Sequence, residues 1–183
     1  RDTRGLFSKT TSRLSFTAKE KNVAHKMLKE IGVDPSRKYV CLNVRDNAYL
    51  ATYLNGSDWD YHNYRDCNIK NYEKAALELA SRGYSVIRMG KLVNKKLEVN
   101  HPLIFDYANS SQRSDLLDIW LMANCFFCVS NGTGLDSICD IYRVPTVMVD
   151  FIPLTHLHSW QYAITAPKRL FWVEGNSDEL CLS

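Results

Sequence analysis

The stretch RSDLLDIWLMANCFFCVSNGTGLDSICDIYRVPTVMVDF, residues 113–151, passes twice from helical to strand-like patterning. SDLLDIWLMANC (114–125) spaces its apolar residues as an amphipathic helix, with Ser114 in the N-cap position. FFCVS (126–130) is a short apolar run that reads as a strand, and the small residues of SNGTG (130–134) turn the chain into a second helix, LDSICDIYR. PTVMVDF (145–151) is the next strand. Strand, helix, strand at this spacing is the crossover unit of a parallel sheet.

The same rhythm extends upstream. SFTAKEKNVAHKMLKEIG puts Val23, Met27, Leu28 and Ile31 on one helical face, so a helix is expected over 17–31, stopped by Gly32. YVCLNVR (39–45) reads as a strand, and the aromatic, polar segment from Asp46 to Asn68 as a long loop. NYEKAALELASRGYSVIRMG brings Tyr72, Ala75, Ala76 and Leu79 to helical spacing, ends at Gly83 and continues into a strand over Ser85 to Met89. LIFDYA (103–108) is a further strand candidate. The expected fold is α/β: a Rossmann-like three-layer sandwich with a mostly parallel sheet. Tyr72, Trp120 and Tyr142 are expected in its core. Residues 1–38 form a basic N-terminal segment with a linker helix, 39–151 the Rossmann-like unit, and 152–183 an irregular extension.

Composition narrows the class of protein. With 183 residues, 45% hydrophobic and 23% charged, the chain supports one good core and is not of low complexity. The formal charge of +3 is unevenly placed: residues 1–38 carry ten Lys or Arg against four acids. No dense basic stripe points to nucleic acid, and the basic front end is read as solvated, with proximity to anionic lipid as the alternative. No run approaches the ~18 apolar residues of a membrane span, and no signal peptide is evident. The expected location is cytoplasmic, or peripheral to an inner membrane. Of the six cysteines, Cys41, Cys125 and Cys128 lie in or beside strand-like runs, and Cys67, Cys139 and Cys181 form no metal-ligand spacing with them, so reduced thiols are expected.

In open parallel sheets ligands bind at the carboxyl ends of the strands. Here those ends carry Arg45 and Asp46; Arg88 and Gly90; Asp106 and Tyr107; and Ser130, Asn131, Gly132, Thr133 and Gly134. Small residues before a helix let main-chain N–H groups approach an anion, and Arg45 with Arg65 could grip a phosphate bidentately. The alternative is a tight turn in which Thr133 or Ser130 caps the helix. SNGTG matches neither the P-loop nor the dinucleotide fingerprint. In the long loop, Asp60 and His62 are candidate general bases, with Trp59, Tyr61 and Tyr64 as a surface for a sugar. Asp58-Trp59-Asp60 reads as a D-x-D triplet but in an irregular aromatic setting, so no metal is expected there. His156 and His158 follow the last strand and could line the same cleft, but are read as solvated.

VRDNAYL, DYHNYRDCNIKNYEKAALELASRGYSVIRMG, the segment from His101-Pro102 to FDYA, RSDLLDIWLMANCFFCVSNGTGLDSI and VPTVMVDF occur in order over residues 39–151. Together they resemble a family of glycosyltransferases from bacterial surface-carbohydrate gene clusters. More distantly the pattern is similar to the donor-binding, C-terminal half of GT-B glycosyltransferases. Val44-Arg45 is similar to the phosphate-binding strand end of fucosyltransferases, and SNGTGLD to the diphosphate loop of heptosyltransferase-like enzymes.

The resemblance implies a metal-independent transferase that needs no cofactor. Its donor would be a nucleotide diphospho-sugar, with the diphosphate on Arg45 and the Asn131–Gly134 backbone and the nucleoside near Asp106 and Tyr107. The acceptor would be a surface glycan or lipid-linked glycan. Enzymes of this type have two lobes and this chain accommodates one, so a second lobe in cis or on a partner chain is expected. The Arg1 start and DELCLS end fit a truncated chain. A nucleotide-sugar epimerase and a non-catalytic nucleotide- or carbohydrate-binding module are the rival readings.

Overall fold

A computed structural model describes residues 2–54, 59–157 and 163–171. The elements are α1 (Leu6–Lys9), α2 (Ala18–Glu30), β1 (Tyr39–Asn43), α3 (Ala48–Tyr53), α4 (Glu73–Ser81), β2 (Ser85–Met89), β3 (Ile104–Phe105), α5 (Asp115–Asn124), β4 (Phe127–Ser130), α6 (Ser137–Tyr142), β5 (Thr146–Phe151) and β6 (Ala163–Pro167). Single 3-10 turns precede α4 and α6, and another covers Asp60–Arg65.

All six strands run parallel, in the order β3-β2-β1-β4-β5-β6. The fold is the expected α/β, Rossmann-like one. Strand order reverses between β1 and β4, where Asn43 pairs with Ser130, and this reversal opens a crevice at the carboxyl ends. The chain alternates across the sheet, so each face has its own core. Tyr39, Cys41, Ile87, Met89 and Cys128 pack with Ala24 and Leu28 of α2, Leu117, Trp120 and Leu121 of α5, and Cys139 of α6. Val40, Leu42, Val86 and Val129 pack on the other face against Tyr72, Ala76 and Ala80. Tyr72 and Trp120 are buried and Tyr142 packs on the first core, as expected.

Local signals explain the helix boundaries. Thr17 and Glu20 form a capping box on α2, and the Ser114 hydroxyl accepts from Leu117 N at 3.2 Å. The structure differs from expectation in three places. Residues 46–68 are not featureless, since α3 and the 60–65 turn lie within them. The third strand shrinks to Ile104–Phe105, because Asp106 and Tyr107 turn away to make side-chain contacts. Residues 163–167, expected to be irregular, add β6 beside β5; its AITAP sequence carries too little apolar pattern to announce a strand. Cys41, Cys67, Cys125, Cys128 and Cys139 are free thiols; Cys181, like Asp58 and His158, lies outside the described residues.

Candidate functional site

A cavity of about 410 Å³ opens at the carboxyl ends of β1, β4 and β5, lined by Arg45, Arg65, Gly132, Thr133, Gly134, Asp136, Ser137, Asp140, Met148, Phe151, His156 and Leu157. Arg45 lies two residues beyond β1 and Gly132 two beyond β4, so the parallel pairing of Asn43 with Ser130 carries both into the crevice. Arg65 arrives from the end of the aromatic loop. The expected phosphate ligands Arg45, Arg65, Gly132, Thr133 and Gly134 are therefore brought together.

The turn after β4 is built from within. Asn43 Nδ2 donates to Thr133 Oγ1 at 2.7 Å, and Asn131 Oδ1 accepts from Arg45 N at 2.8 Å, joining the two strand ends. The Asp136 carboxylate accepts from Thr133 N at 2.9 Å and Ser130 Oγ at 2.6 Å. Thr133 Oγ1 accepts from Leu135 N, and Ser130 Oγ from Gly132 N. Two amides expected to face a ligand, Gly132 N and Thr133 N, are thus spent on the turn itself, and Ser130 and Asn131, each 1% exposed, act as its scaffold. Gly132 sits at φ +87° beneath the Phe151 ring, where a side chain has no room.

The side chains around this turn are less well satisfied. Arg65 Nη2 donates to Gly132 O at 3.0 Å, and Arg45 Nε lies 3.1 Å from Asp66 Oδ1. The Arg45–Asp66 pair meets in distance but not in alignment, so both atoms are buried without a hydrogen bond, as are Arg65 Nε, His62 Nδ1 and Asn131 Nδ2. An unpartnered buried polar group costs about 1–3 kcal/mol. Five of the eight such atoms among the described residues gather at this one place. Desolvation, then the charges of Arg65, Arg45 and His156, lowers the pKa of His62, while Asp66 opposes them. Desolvation, and next Arg45, likewise lowers that of Arg65; burial raises the Asp66 carboxyl against the pull of Arg45.

Other expected ligands go elsewhere. Arg88, 1% exposed, donates to Lys95 O at 2.7 Å and pairs with Asp106 at 3.2 Å. Asp106 also accepts from Leu97 N and Asn109 Nδ2, so this pair pins the 94–109 segment instead of facing the cavity. Tyr107 is core: its hydroxyl donates to Asp118 at 2.8 Å and accepts from Ser114 N. Gly90, at φ +151°, makes a turn against Val93 and Ala108. Asp60 accepts from Asn63 Nδ2 at 3.0 Å and does not line the cavity. Arg88, Asp106 and Tyr107 do not line this cavity, because position after a strand does not reveal which face or partner a side chain takes. Asp66, Asp136 and His156 complete the surroundings. The Thr133-x-x-Asp136 capping pattern was the only readable signal for the second, and nothing in the sequence marked Asp66.

The fold is an α/β, Rossmann-like unit whose crevice lies at a topological switch point, the place where open parallel sheets bind ligands. No protein-family model matches the sequence, and no curated protein does. Among solved structures, the chain is similar to ADP-heptose LPS heptosyltransferase II of E. coli, with a TM-score of 0.56 and 17% identity. The match covers 88% of this chain and 46% of the heptosyltransferase, so the chain spans about half the length of that neighbour. At this identity the likeness is one of fold: a Rossmann-like unit of the kind found in a glycosyltransferase. No helix among the described residues is long and apolar enough to cross a membrane.

Proposed function

We propose that the chain is the donor-binding lobe of a glycosyltransferase that takes a nucleotide diphospho-sugar and passes the sugar to a surface or lipid-linked glycan. The observation that carries this is a pair of unpartnered buried guanidinium nitrogens, Arg45 Nε and Arg65 Nε, on residues that line a cavity at the strand-order reversal, with Asn131 Nδ2 and His62 Nδ1 also unpartnered beside them. Groups of that kind are satisfied by an anion with several oxygens, and a diphosphate has the matching size and charge.

In this reading the two guanidiniums neutralise the diphosphate as it leaves, an electrostatic task that requires no metal. Desolvation and the neighbouring guanidiniums lower the pKa of His62, which favours the neutral imidazole that could accept a proton from an attacking hydroxyl. The stacked rings of Trp59, Tyr61 and His62 offer an apolar face for an acceptor sugar. The remaining half of such an enzyme would come from elsewhere in the chain or from a partner.

Calorimetric titration with a panel of nucleoside diphosphates tests the reading. Arg45→Ala is expected to weaken binding by about 1.5–3 kcal/mol, the range for a charged hydrogen bond. Equal affinity for wild type and variant would remove Arg45 from the phosphate site.

A further inference from the structure

We propose that Asp66 is an internal competitor for Arg45: its carboxylate occupies the guanidinium that a phosphate-class ligand engages, and swings out as that ligand binds. The inference rests on reading the cavity as a phosphate site and adds to it a residue that sets the affinity.

The Arg45–Asp66 pair is mostly buried, with side chains 13% and 21% exposed, yet no N–H of the pair is aligned on a carboxylate oxygen. The pair is close but poorly aligned, and an ion pair without well-aligned hydrogen bonds is poorly compensated for its burial. The raised pKa of Asp66 agrees, because desolvation outweighs the pull of Arg45.

The surrounding backbone is fixed. Cys67 N donates to Arg45 O at 3.0 Å, and Lys168 Nζ donates to Tyr64 O and Asp66 O, each at 2.8 Å. Arg65 is held on Gly132 O. Motion is left to the Asp66 side chain, and it has somewhere to go. Arg45 lines the first cavity; Asp66 lines a second one of about 250 Å³, where Arg88, Asn94 and Lys95 could receive its carboxylate and Asp46 repels it. The ion pair is the partition between them.

Charge balance gives the partition its purpose. Arg45 and Arg65 stand close to the carboxylates of Asp66, Asp136 and Asp140, which offset much of their positive charge. Asp136 is committed to Thr133 N and Ser130 Oγ, whereas Asp66 Oδ1 has no aligned hydrogen bond. A ligand carrying two or more negative charges can replace it on Arg45 while also reaching Arg65.

The test is calorimetric titration of wild type, Asp66→Asn, Asp66→Ser and Asp66→Glu with inorganic pyrophosphate, with thermal melts to verify folding. The neutral variants are expected to bind about five- to tenfold more tightly than wild type, and Asp66→Glu, which keeps the charge, within about twofold of it. A merely structural ion pair would give the opposite, weaker binding on neutralisation. Unchanged or weaker binding by folded neutral variants would overturn the competitor role and leave the phosphate site standing. Absence of pyrophosphate binding by every form would overturn both. Binding by the neutral variants alone would support the competitor, and failure of both to fold would assign Asp66 to the scaffold and overturn it.

Discussion

At Gly132 the chain turns with φ +87° under the Phe151 ring, and a Cβ built there would lie 2.6 Å from Phe151 Cε2. Gly132→Ala therefore combines a left-handed backbone with a collision against a buried ring, and is expected to cost about 2–4 kcal/mol in chemical denaturation. His62 offers a second residue-level test. Desolvation and then the guanidiniums of Arg65 and Arg45 hold its proton off, so its imidazole should titrate below 6.5 when followed by NMR. Adding pyrophosphate brings negative charge beside it and should raise that pKa; Arg65→Ala should raise it too. A normal value that ignores both changes would place the ring outside the field of the site. At this scale the sequence was partly legible. Arg45, Arg65 and the Gly132–Gly134 turn were readable from their places after strands and at the loop end. Arg88, Asp106 and Tyr107 had equally suitable places, yet their side chains serve the 94–109 segment and the core.

Among the elements, α5 shows how a local signal becomes a boundary. The Ser114 hydroxyl accepts from Leu117 N, and Ser114→Ala is expected to lower stability by ~1 kcal/mol, read as a shift of the urea midpoint. Helices with a cap and an apolar stripe were legible to within a residue or two: the expected 17–31 helix is α2, Ala18–Glu30. Strands buried on both faces were legible as β-rich apolar runs, which is why β1, β2 and β4 were found; β5 shows the same run though four of its six residues are half-buried. At the edges of the sheet pattern thins out, and β3 and β6 depend on their neighbours for pairing. β6 matters to the site through Lys168 just beyond it, which grips the carbonyls of Tyr64 and Asp66. Lys168→Met should speed amide exchange at Cys67 and weaken diphosphate binding less than Arg45→Ala does.

For the whole molecule, two cores on one parallel sheet leave the carboxyl edge as the place where polar loops converge. Buried thiols lie away from that edge: Cys41, Cys125, Cys128 and Cys139 surround the end of α5, with pKa values raised above 9.0. Among the described cysteines, native alkylation should therefore mark Cys67 first and reach those four only on unfolding. The most direct test of the account is to map the backbone amides that shift in an NMR titration with a nucleoside diphosphate. Saturable shifts centred on Arg45, Arg65 and Asn131–Gly134, lost in Arg45→Ala with Arg65→Ala, are the predicted result. Saturable shifts elsewhere, leaving those residues unmoved, or no binding by any nucleoside diphosphate, would contradict it.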